Sequence, residues 1–152
     1  MTFNKSFRAR RANPEEILHR QIAGYLTLAL PSEAWFSTFP AGGGGAIRGQ
    51  RLKAAGLKAG VPDLLIVHQG RALFLELKAP EGTLSESQKT TIPAIERAGG
   101  KVSVCRTLED VELALKQFGI EPRVKIQNGK IFDQNGLRLH TGKTAFVNFT
   151  PV

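Results

Sequence analysis

The sequence predicts an α/β fold in which helices flank a central mixed β-sheet, with a small β-meander at the C-terminal end. Three observations predict it. Two apolar runs, DLLIVHQ and ALFLELK, are joined at Gln69-Gly70-Arg71, a link short enough for an antiparallel hairpin. Segments with helical spacing of apolar residues precede and follow this hairpin. Beyond Ile120, two Asn-Gly pairs separate short alternating runs, which is typical of further hairpins.

The composition is that of a basic protein with enough apolar residues for a core. Of 152 residues, 41% are hydrophobic, which excludes wholesale disorder and fits one domain with a small appendage. The formal net charge is +8, from 21 Lys and Arg against 13 Asp and Glu. This excess favours a polyanionic partner, and we expect nucleic acid. A basic surface that only aids solubility is the alternative that composition leaves open.

Cysteine and histidine usage excludes two classes of site. Cys105 is the only cysteine, so no intrachain disulfide can form and a reducing compartment is favoured. The histidines are scattered without metal-ligand spacing, which argues against a zinc site. No apolar stretch approaches the ~18 residues of a membrane span. We therefore expect a cytoplasmic protein that makes no use of a membrane.

We divide the chain into three parts. Residues 1–12 are a basic N-terminal arm, residues 13–119 form the α/β domain, and residues 120–152 are a C-terminal β-hairpin extension. The extension is predicted to cover an exposed sheet edge, because hairpins readily add to such strands. The alternatives are that the extension forms part of a dimer interface or that it binds DNA through Lys125, Lys130, Arg138 and Lys143.

The first predicted helix spans NPEEILHRQIAGYLTLAL. Asn13 can cap it, Pro14 suits its first turn, and Glu16 completes an Asn-x-x-Glu capping box. Pro31 ends it. Its apolar face consists of Leu18, Ile22, Leu26 and Ala29.

The segment between this helix and the hairpin is predicted to face DNA. Trp35 and Phe36 are expected in the core, and four consecutive glycines then predict a flexible loop that enters a short basic helix. No Gly-Lys-Ser/Thr follows the glycines, so no nucleotide cofactor is expected. The candidate DNA contacts are Arg48, Arg51, Lys53 and Lys58.

After the hairpin the sequence predicts a helix, a strand and a second helix. Ser85 can cap the first of these helices, with Gln88 three residues on as its capping-box partner. Pro93 is expected to kink or shorten that helix. KVSVCRT is typical of a strand, and Thr107 can cap a last helix that Gly119 ends.

Three charged residues lie in or beside the apolar strands of the predicted hairpin. Asp63 precedes the first strand, and Glu76 and Lys78 share one face of the second, because alternate residues of a strand point the same way. Two converging carboxylates repel each other unless one is protonated or a cation lies between them. A hard divalent ion such as Mg²⁺ takes oxygen ligands and often uses one or two carboxylates plus a phosphate. The pattern predicts metal-assisted phosphodiester hydrolysis, with a solvated Glu-x-Lys edge pair as the alternative.

Three stretches carry a resemblance to a known family. GLKAGVPDLLIV, FLELKAPEGTLSESQ and AGGKVSVCRTLEDV resemble the VRR-NUC (virus-type replication-repair nuclease) family of the PD-(D/E)xK nuclease superfamily. The resemblance extends roughly from Phe39 to Gly119. Its motifs, in order along the chain, are Pro62-Asp63, Glu76-Leu77-Lys78, Gly82, Leu84, Ser85 and Gln88.

The resemblance implies a restriction-endonuclease-like core and a role for each central motif residue. Asp63 and Glu76 are then ligands of Mg²⁺ or Mn²⁺, with the backbone carbonyl of Leu77 as a third. Lys78 is the catalytic lysine, and Gln88 is expected close to the site.

A carboxylate from the first helix is a further candidate. Nucleases of this superfamily often bring one to the metal, which makes Glu16, or Glu15 beside it, a candidate catalytic residue, with the helix cap as the other explanation for Glu16. The sequence departs from the family pattern in two places. The loop PAGGGG lacks an Asn expected beside the glycines, which puts local DNA contacts in doubt, and Pro93 interrupts the helix behind Gln88.

The resemblance also implies a substrate and an assembly. Small members of the family resemble structure-specific enzymes that resolve branched DNA, Holliday junctions especially. A four-way junction needs two paired cuts, which implies a homodimer. A phage, prophage or bacterial origin is implied by the family alone. The alternatives are a sequence-preferring or nicking nuclease on the same motif and a non-catalytic DNA-binding relative.

Overall fold

The computed structural model describes residues 13–39 and 45–141, and the basic arm, most of the glycine loop and Lys143 lie outside this range. The described chain is α/β, as the sequence predicts, with a mixed four-stranded sheet flanked by helices and a separate small antiparallel sheet. The helices are α1 Pro14–Ala29, α2 Gly45–Ala54, α3 Glu86–Arg97 and α4 Leu108–Gln117. The strands are β1 Ala34–Thr38, β2 Leu64–His68, β3 Arg71–Leu77, β4 Lys101–Cys105, β5 Lys125–Gln127, β6 Lys130–Phe132 and β7 Arg138–Leu139.

The four-stranded sheet has the order β1-β2-β3-β4. β1, β2 and β3 are antiparallel, whereas β4 runs parallel to β3 and is reached through α3. The predicted hairpin forms, and its turn is shorter than expected, because Arg71 is already in β3 and pairs with His68. Gln69 and Gly70 both have positive φ, of 50° and 73°, which is the turn geometry that matches the twist of two-residue hairpins.

The two faces of the sheet have different roles. Leu64, Ile66 and Leu75 lie on the face that joins the hydrophobic core together with buried residues of α1 and α4. Successive side chains of a strand point to opposite faces, so Phe74 and Glu76 lie on the other face. α3 packs on that second face. The site therefore lies on the opposite side of the sheet from the core.

The helix boundaries agree with the sequence, and one capping interaction differs. The Asn13 side chain accepts a hydrogen bond from the Glu15 N–H, but the Glu16 carboxylate turns to Arg20, at 2.6 Å, instead of completing a capping box. The charged guanidinium one turn away offers a stronger, charge-assisted bond than a backbone N–H. The prediction that Glu16 completes the box is therefore wrong.

α3 has the predicted cap and passes through its proline. Ser85 and Gln88 form the capping box, and Thr107 caps α4 as expected. α3 continues from Pro93 to Arg97, so the proline does not shorten it. Pro93 lacks the backbone N–H that would otherwise donate to the Lys89 carbonyl. Since Lys89 is exposed, water can donate a hydrogen bond to that carbonyl instead.

Two expectations about burial are corrected. Residues 34–38 form an edge strand that the sequence analysis did not predict, and Trp35 on its outer face is 60% exposed instead of buried. Phe36, on the other face, is half-buried and packs against the core as expected. Successive side chains of a strand point to opposite faces, so Phe36 lies on the face that the core covers and Trp35 lies on the face open to solvent.

The C-terminal meander packs on helices and not on a sheet edge. Through Thr141, its three strands form their own sheet, whose Ile126 and Ile131 join the core together with Val124 just ahead of β5. The Arg123 N–H donates to the Ala29 carbonyl at the end of α1, at 2.8 Å. The predicted edge-covering role is therefore wrong for these residues, because the apolar side chains of the meander find their partners in the helical layer. No helix within the described ranges is long and apolar enough to cross a membrane.

Candidate active site

The hairpin register places Asp63 beside Glu76. Leu64 pairs with Leu75, so the next residues along the two strands are Asp63 and Glu76. The Asp63 Oδ2 atom accepts a hydrogen bond from the Leu77 N–H at 2.8 Å. Its backbone carbonyl accepts another from the Phe39 N–H at 2.9 Å. Asp63 is thereby held at the end of the sheet, to β3 on one side and to the residue that follows β1 on the other.

Glu76 is the most buried charged group of the site, with only 2% of its surface exposed. Its Oε1 atom accepts hydrogen bonds from the Lys78 ammonium, at 3.0 Å, and from the Gln88 side-chain amide, at 2.5 Å. Lys78 is itself largely covered, with 14% of its side chain exposed. The predicted face-sharing of Glu76 and Lys78 is present, and the pair is a buried one. The alternative of a solvated edge pair is excluded.

The electrostatics of Glu76 oppose ionisation. Burial raises the pKa of Glu76 above its ordinary value, and the nearby negative charge of Asp63 raises it further. The hydrogen bond and positive charge of Lys78, with the bond from Gln88, act in the opposite direction and only partly offset the increase. An added positive charge between the two carboxylates would favour the ionised form of Glu76.

The second oxygen of Glu76 identifies a position for such a charge. Oε2 is buried and has no hydrogen-bond partner among the described residues. A buried carboxylate oxygen without a partner costs free energy, so it marks a site that an ion or an ordered water completes. No group of three or more His, Cys, Asp and Glu lies together in the described ranges. Two carboxylates fit a hard ion of the Mg²⁺ type, which keeps several waters, better than a closed zinc site.

Gln88 links the site to the first turn of α3. Its Oε1 atom accepts a hydrogen bond from the Ser85 N–H at 2.9 Å, while its Nε2 donates to Glu76. One side chain thus completes the helix cap and orients the carboxylate. The sequence pattern predicted the first contact and the family resemblance implied the second, and both contacts exist.

Glu16 is separate from this cluster in its contacts. It is exposed on α1 and its described partner is Arg20. No described hydrogen bond or ion pair connects it to Asp63, Glu76 or Lys78. Its predicted catalytic role has no contact to support it in this structure.

The candidate DNA contacts flank the site. Arg48, Arg51 and Lys53 are exposed on α2, and Lys58 is exposed on the loop that leads to Asp63. Lys53 and Lys58 line a cavity of about 340 Å³ that also reaches Asp63 and Gln88. Their contact with DNA remains a prediction.

Sequence analysis missed two residues that shape the site. Phe39 stacks on Phe74 with ring centroids 6.3 Å apart, besides its bond to Asp63. Gly60 has a positive φ of 77° and lies so close to α3 that an added Cβ would be 2.4 Å from the Ser87 backbone. Nothing in the local pattern marks Phe39, whereas the glycine directly ahead of Val61-Pro62-Asp63 is a signal for a close approach.

Comparison with known proteins points to one family. The model of the VRR-NUC domain matches residues 14–108, well over half of the chain. A solved structure described as a VRR_NUC domain protein is similar, with 24% sequence identity and a TM-score of 0.43. The alignment covers 55% of this chain and 66% of that one, just under two thirds of its length. None of the curated proteins with which the sequence was compared matches it.

Proposed function

This chain belongs to the VRR-NUC family of nucleases, and on that premise we propose that it is a metal-dependent DNA endonuclease. It hydrolyses phosphodiester bonds and acts by preference on branched DNA such as four-way junctions. The observation that carries the proposal is the buried, unpartnered Oε2 of Glu76 beside Asp63, with Lys78 on the other oxygen of the same carboxylate.

The residues that would hold the ion are Asp63 and Glu76, with the backbone carbonyl of Leu77. Mg²⁺ or Mn²⁺, when bound, polarises the phosphodiester and lowers the pKa of a water ligand. Asp63 is positioned for this by the bond from the Leu77 N–H. Glu76 is held in one orientation by Gln88 and Lys78, so little reorganisation is needed when charge develops.

Lys78 acts on the reacting phosphate. Its ammonium lies 3.0 Å from one oxygen of Glu76 and is covered from solvent, which strengthens its electrostatic effect. A lysine placed there stabilises negative charge on the phosphate and positions the attacking water by hydrogen bonding. Removal of this lysine is expected to slow the chemical step more than it weakens DNA binding.

DNA binding is assigned to the basic surface formed by α2 and the loop after it. The four basic residues Arg48, Arg51, Lys53 and Lys58 are all exposed, and residues 45–62 contain no acidic residue. Each phosphate contact made there would steepen the salt dependence of binding.

The preference for branched DNA and the homodimer rest on the family and on the symmetry of the substrate. Two paired cuts in a four-way junction require two sites at a set separation, which a two-fold dimer supplies. Size-exclusion chromatography with light scattering tests this. A monomer both with and without junction DNA would contradict the dimer and the paired-cut mechanism.

The test of the activity is cleavage of a labelled four-way junction by the wild type and Asp63→Asn, in Mg²⁺, Mn²⁺ or EDTA. Symmetric cuts that need metal and disappear in the variant are the expected result. Equal cleavage of plain duplex would replace the branched-DNA preference with a sequence-preferring or nicking nuclease. Absence of cleavage of any DNA in either metal would overturn the nuclease proposal in favour of a binding module.

A further inference from the structure

The cavity beside Asp63 has an apolar wall that the proposed metal chemistry does not use. It lies between α2, the loop that follows it and the first turn of α3, and has a volume of about 340 Å³. Leu52, Leu57 and Val61 line it and are only half-buried. Apolar surface left open directly beside a carboxylate site favours a ligand with a flat, partly apolar part, such as a nucleobase.

An aromatic ring forms part of the same wall. Phe39 lines the cavity and is fixed there twice, by its N–H bond to the Asp63 carbonyl and by stacking on Phe74 with an interplanar angle of 9°. Aromatic side chains beside a basic groove bind nucleobases by stacking, with little dependence on base identity. Phe39 therefore gives the cavity a rigid surface, and it is in direct contact with Asp63, the proposed metal ligand.

The charge of the cavity rim selects for phosphate. Lys53 and Lys58 line it together with one carboxylate, that of Asp63, and residues 45–62 carry four basic residues and no acidic one. A neutral apolar ligand would gain nothing from this excess, whereas a nucleotide satisfies both the lysines and the apolar wall. The volume lies near the lower end of the roughly 300–1,000 Å³ of small-ligand pockets, which suits one nucleotide and not a stacked duplex.

The cavity is held open by a tight contact between its two sides. Gly60 lies directly against the backbone of Ser87, and the Thr91 hydroxyl donates to the Ala59 carbonyl at 2.6 Å. The loop after α2 is thereby joined to α3, and the distance between the basic helix and Gln88 is set. This contact preorganises the cavity before any substrate binds.

We propose that this cavity accepts one unpaired nucleotide of the DNA strand next to the cleaved phosphodiester. The inference rests on the proposed function and deepens it, because it supplies a reason for a preference for branched DNA. A nucleotide inside an intact duplex must be unstacked before it can enter, and this cost is smallest where the base is already unpaired. The site then selects branch points without reading their sequence.

The experiment measures binding in EDTA, so that no cleavage is involved. The probes are two labelled duplexes of the same sequence, one fully paired and one with a single unpaired 2-aminopurine nucleotide. The wild type is expected to bind the second about tenfold more tightly, the size of one base–aromatic stack. The fluorescence of 2-aminopurine is expected to change on binding, because the base moves into the cavity.

Variants locate the effect. Leu52→Trp fills the cavity and is expected to abolish both the affinity difference and the fluorescence change. Leu113→Trp is the matched control, since Leu113 is exposed on α4 and does not line the cavity, and it should change neither. Circular dichroism checks folding, and Leu57→Phe replaces Leu52→Trp if that variant does not fold.

Equal affinity of the wild type for both probes would overturn the inference, as would a preference that survives cavity filling. The proposed function fails in a different way. If the wild type cuts junction DNA but binds both probes equally, only the cavity assignment is lost. If it prefers the unpaired nucleotide but cuts no DNA in either metal, the cavity assignment stands and the nuclease proposal is lost.

Discussion

The carboxylate of Asp63 accepts a hydrogen bond of 2.8 Å from the backbone N–H of Leu77. This bond lies beyond the last ladder pair of β2 and β3, Leu64 with Leu75. A proposed metal ligand therefore also closes the end of the hairpin that carries the other ligand. Asp63 therefore has both a structural role and a proposed catalytic role. A substitution of Asp63 has to distinguish the loss of this hydrogen bond from the loss of the metal ligand.

Asp63→Ala is expected to lower the free energy of unfolding more than Asp63→Asn, whereas both are expected to reduce junction cleavage to a similar extent. Alanine leaves the Leu77 N–H at the buried end of β3 without its partner, and the free energy of unfolding should fall by about 1–3 kcal/mol. Asparagine keeps an acceptor oxygen there and should cost less. Both remove the charged ligand, so junction cleavage should fall at least about a hundredfold. Urea unfolding and cleavage assays measure the two effects. Equal destabilisation by both substitutions would contradict the role of this hydrogen bond.

Glu76→Gln is expected to change how stability depends on pH in EDTA. The pKa of Glu76 is raised in the folded protein, from an ordinary value of 4.5, chiefly by burial. The folded state then binds the proton more tightly than the unfolded chain does. The stability that this contributes is fully present below the ordinary pKa and is lost as the pH rises through the folded pKa.

The glutamine variant lacks this titration, so its unfolding free energy should fall less than that of the wild type as the pH rises from 4.5 through the folded pKa of Glu76. Urea unfolding across this range measures the difference, and parallel curves would contradict it. Mn²⁺ should stabilise the wild type and not the variant, because only the wild type has both carboxylates.

Lys78→Ala is expected to separate cutting from binding. The cleavage rate should fall by about 10²–10⁴-fold, because a covered positive charge at the reacting phosphate is lost. DNA affinity in EDTA should remain close to that of the wild type. Lys89→Ala is the matched control, since it removes the same charge from an exposed pair with Glu86 on α3. Equal loss of binding and cleavage in Lys78→Ala would show that the lysine only holds DNA.

Gln88→Glu is expected to preserve the cap of α3 and to disturb the site. A glutamate can accept the bond from the Ser85 N–H, as glutamine does, but it cannot donate to Glu76. A second carboxylate there repels Glu76 and the donated hydrogen bond is lost, so cleavage should fall about 10–100-fold and thermal stability should fall as well.

Ser85→Ala is the control for the cap. It removes the acceptor of the Gln88 N–H, should cost about 1 kcal/mol and should leave cleavage near the wild-type rate. If Gln88→Glu cleaved normally, the contact of Gln88 with Glu76 would have no part in catalysis.

Gly60→Ala is expected to be more damaging than Gly56→Ala. Both glycines have positive φ, 77° and 100°, so both substitutions introduce backbone strain. At Gly60 the new methyl group also meets the Ser87 backbone at 2.4 Å, whereas at Gly56 nothing lies within 4 Å. The extra clash should cost about 1–3 kcal/mol and should lower cleavage by moving the loop before Asp63. Thermal unfolding and cleavage of the two variants provide the comparison, and equal stability would exclude the tight contact.

The local elements and the central motif were predictable because their signals are short in range. The alternation of β2 and β3, the Ser85 and Thr107 caps, and the two Asn-Gly turns each depend on residues within a few positions of one another. The register of the hairpin follows from the same local pattern. It is sufficient to predict that Asp63, Glu76 and Lys78 converge.

Two of the failures concern partners that are distant in sequence. Trp35 lies on the open face of an edge strand, and the meander packs on α1 and α4. In both cases the choice depends on which surface is left uncovered after the sheet and helices assemble, and no pattern within the segment contains that information. The failure at Glu16 is local, because its partner Arg20 lies one turn away on the same helix and competes with the cap for the carboxylate.

By itself, the sequence determined the order of the described helices and strands except β1, the basic surface and the residues Asp63, Glu76, Lys78 and Gln88 as a candidate nuclease site. Only the tertiary structure decided that Glu76 is buried with one oxygen unpartnered, that Gln88 serves the cap and the site together, and that Phe39 and Gly60 shape a cavity beside them. The physical reason is that burial, and with it the pKa of Glu76, depends on α3, which packs from another part of the chain against the end of the hairpin.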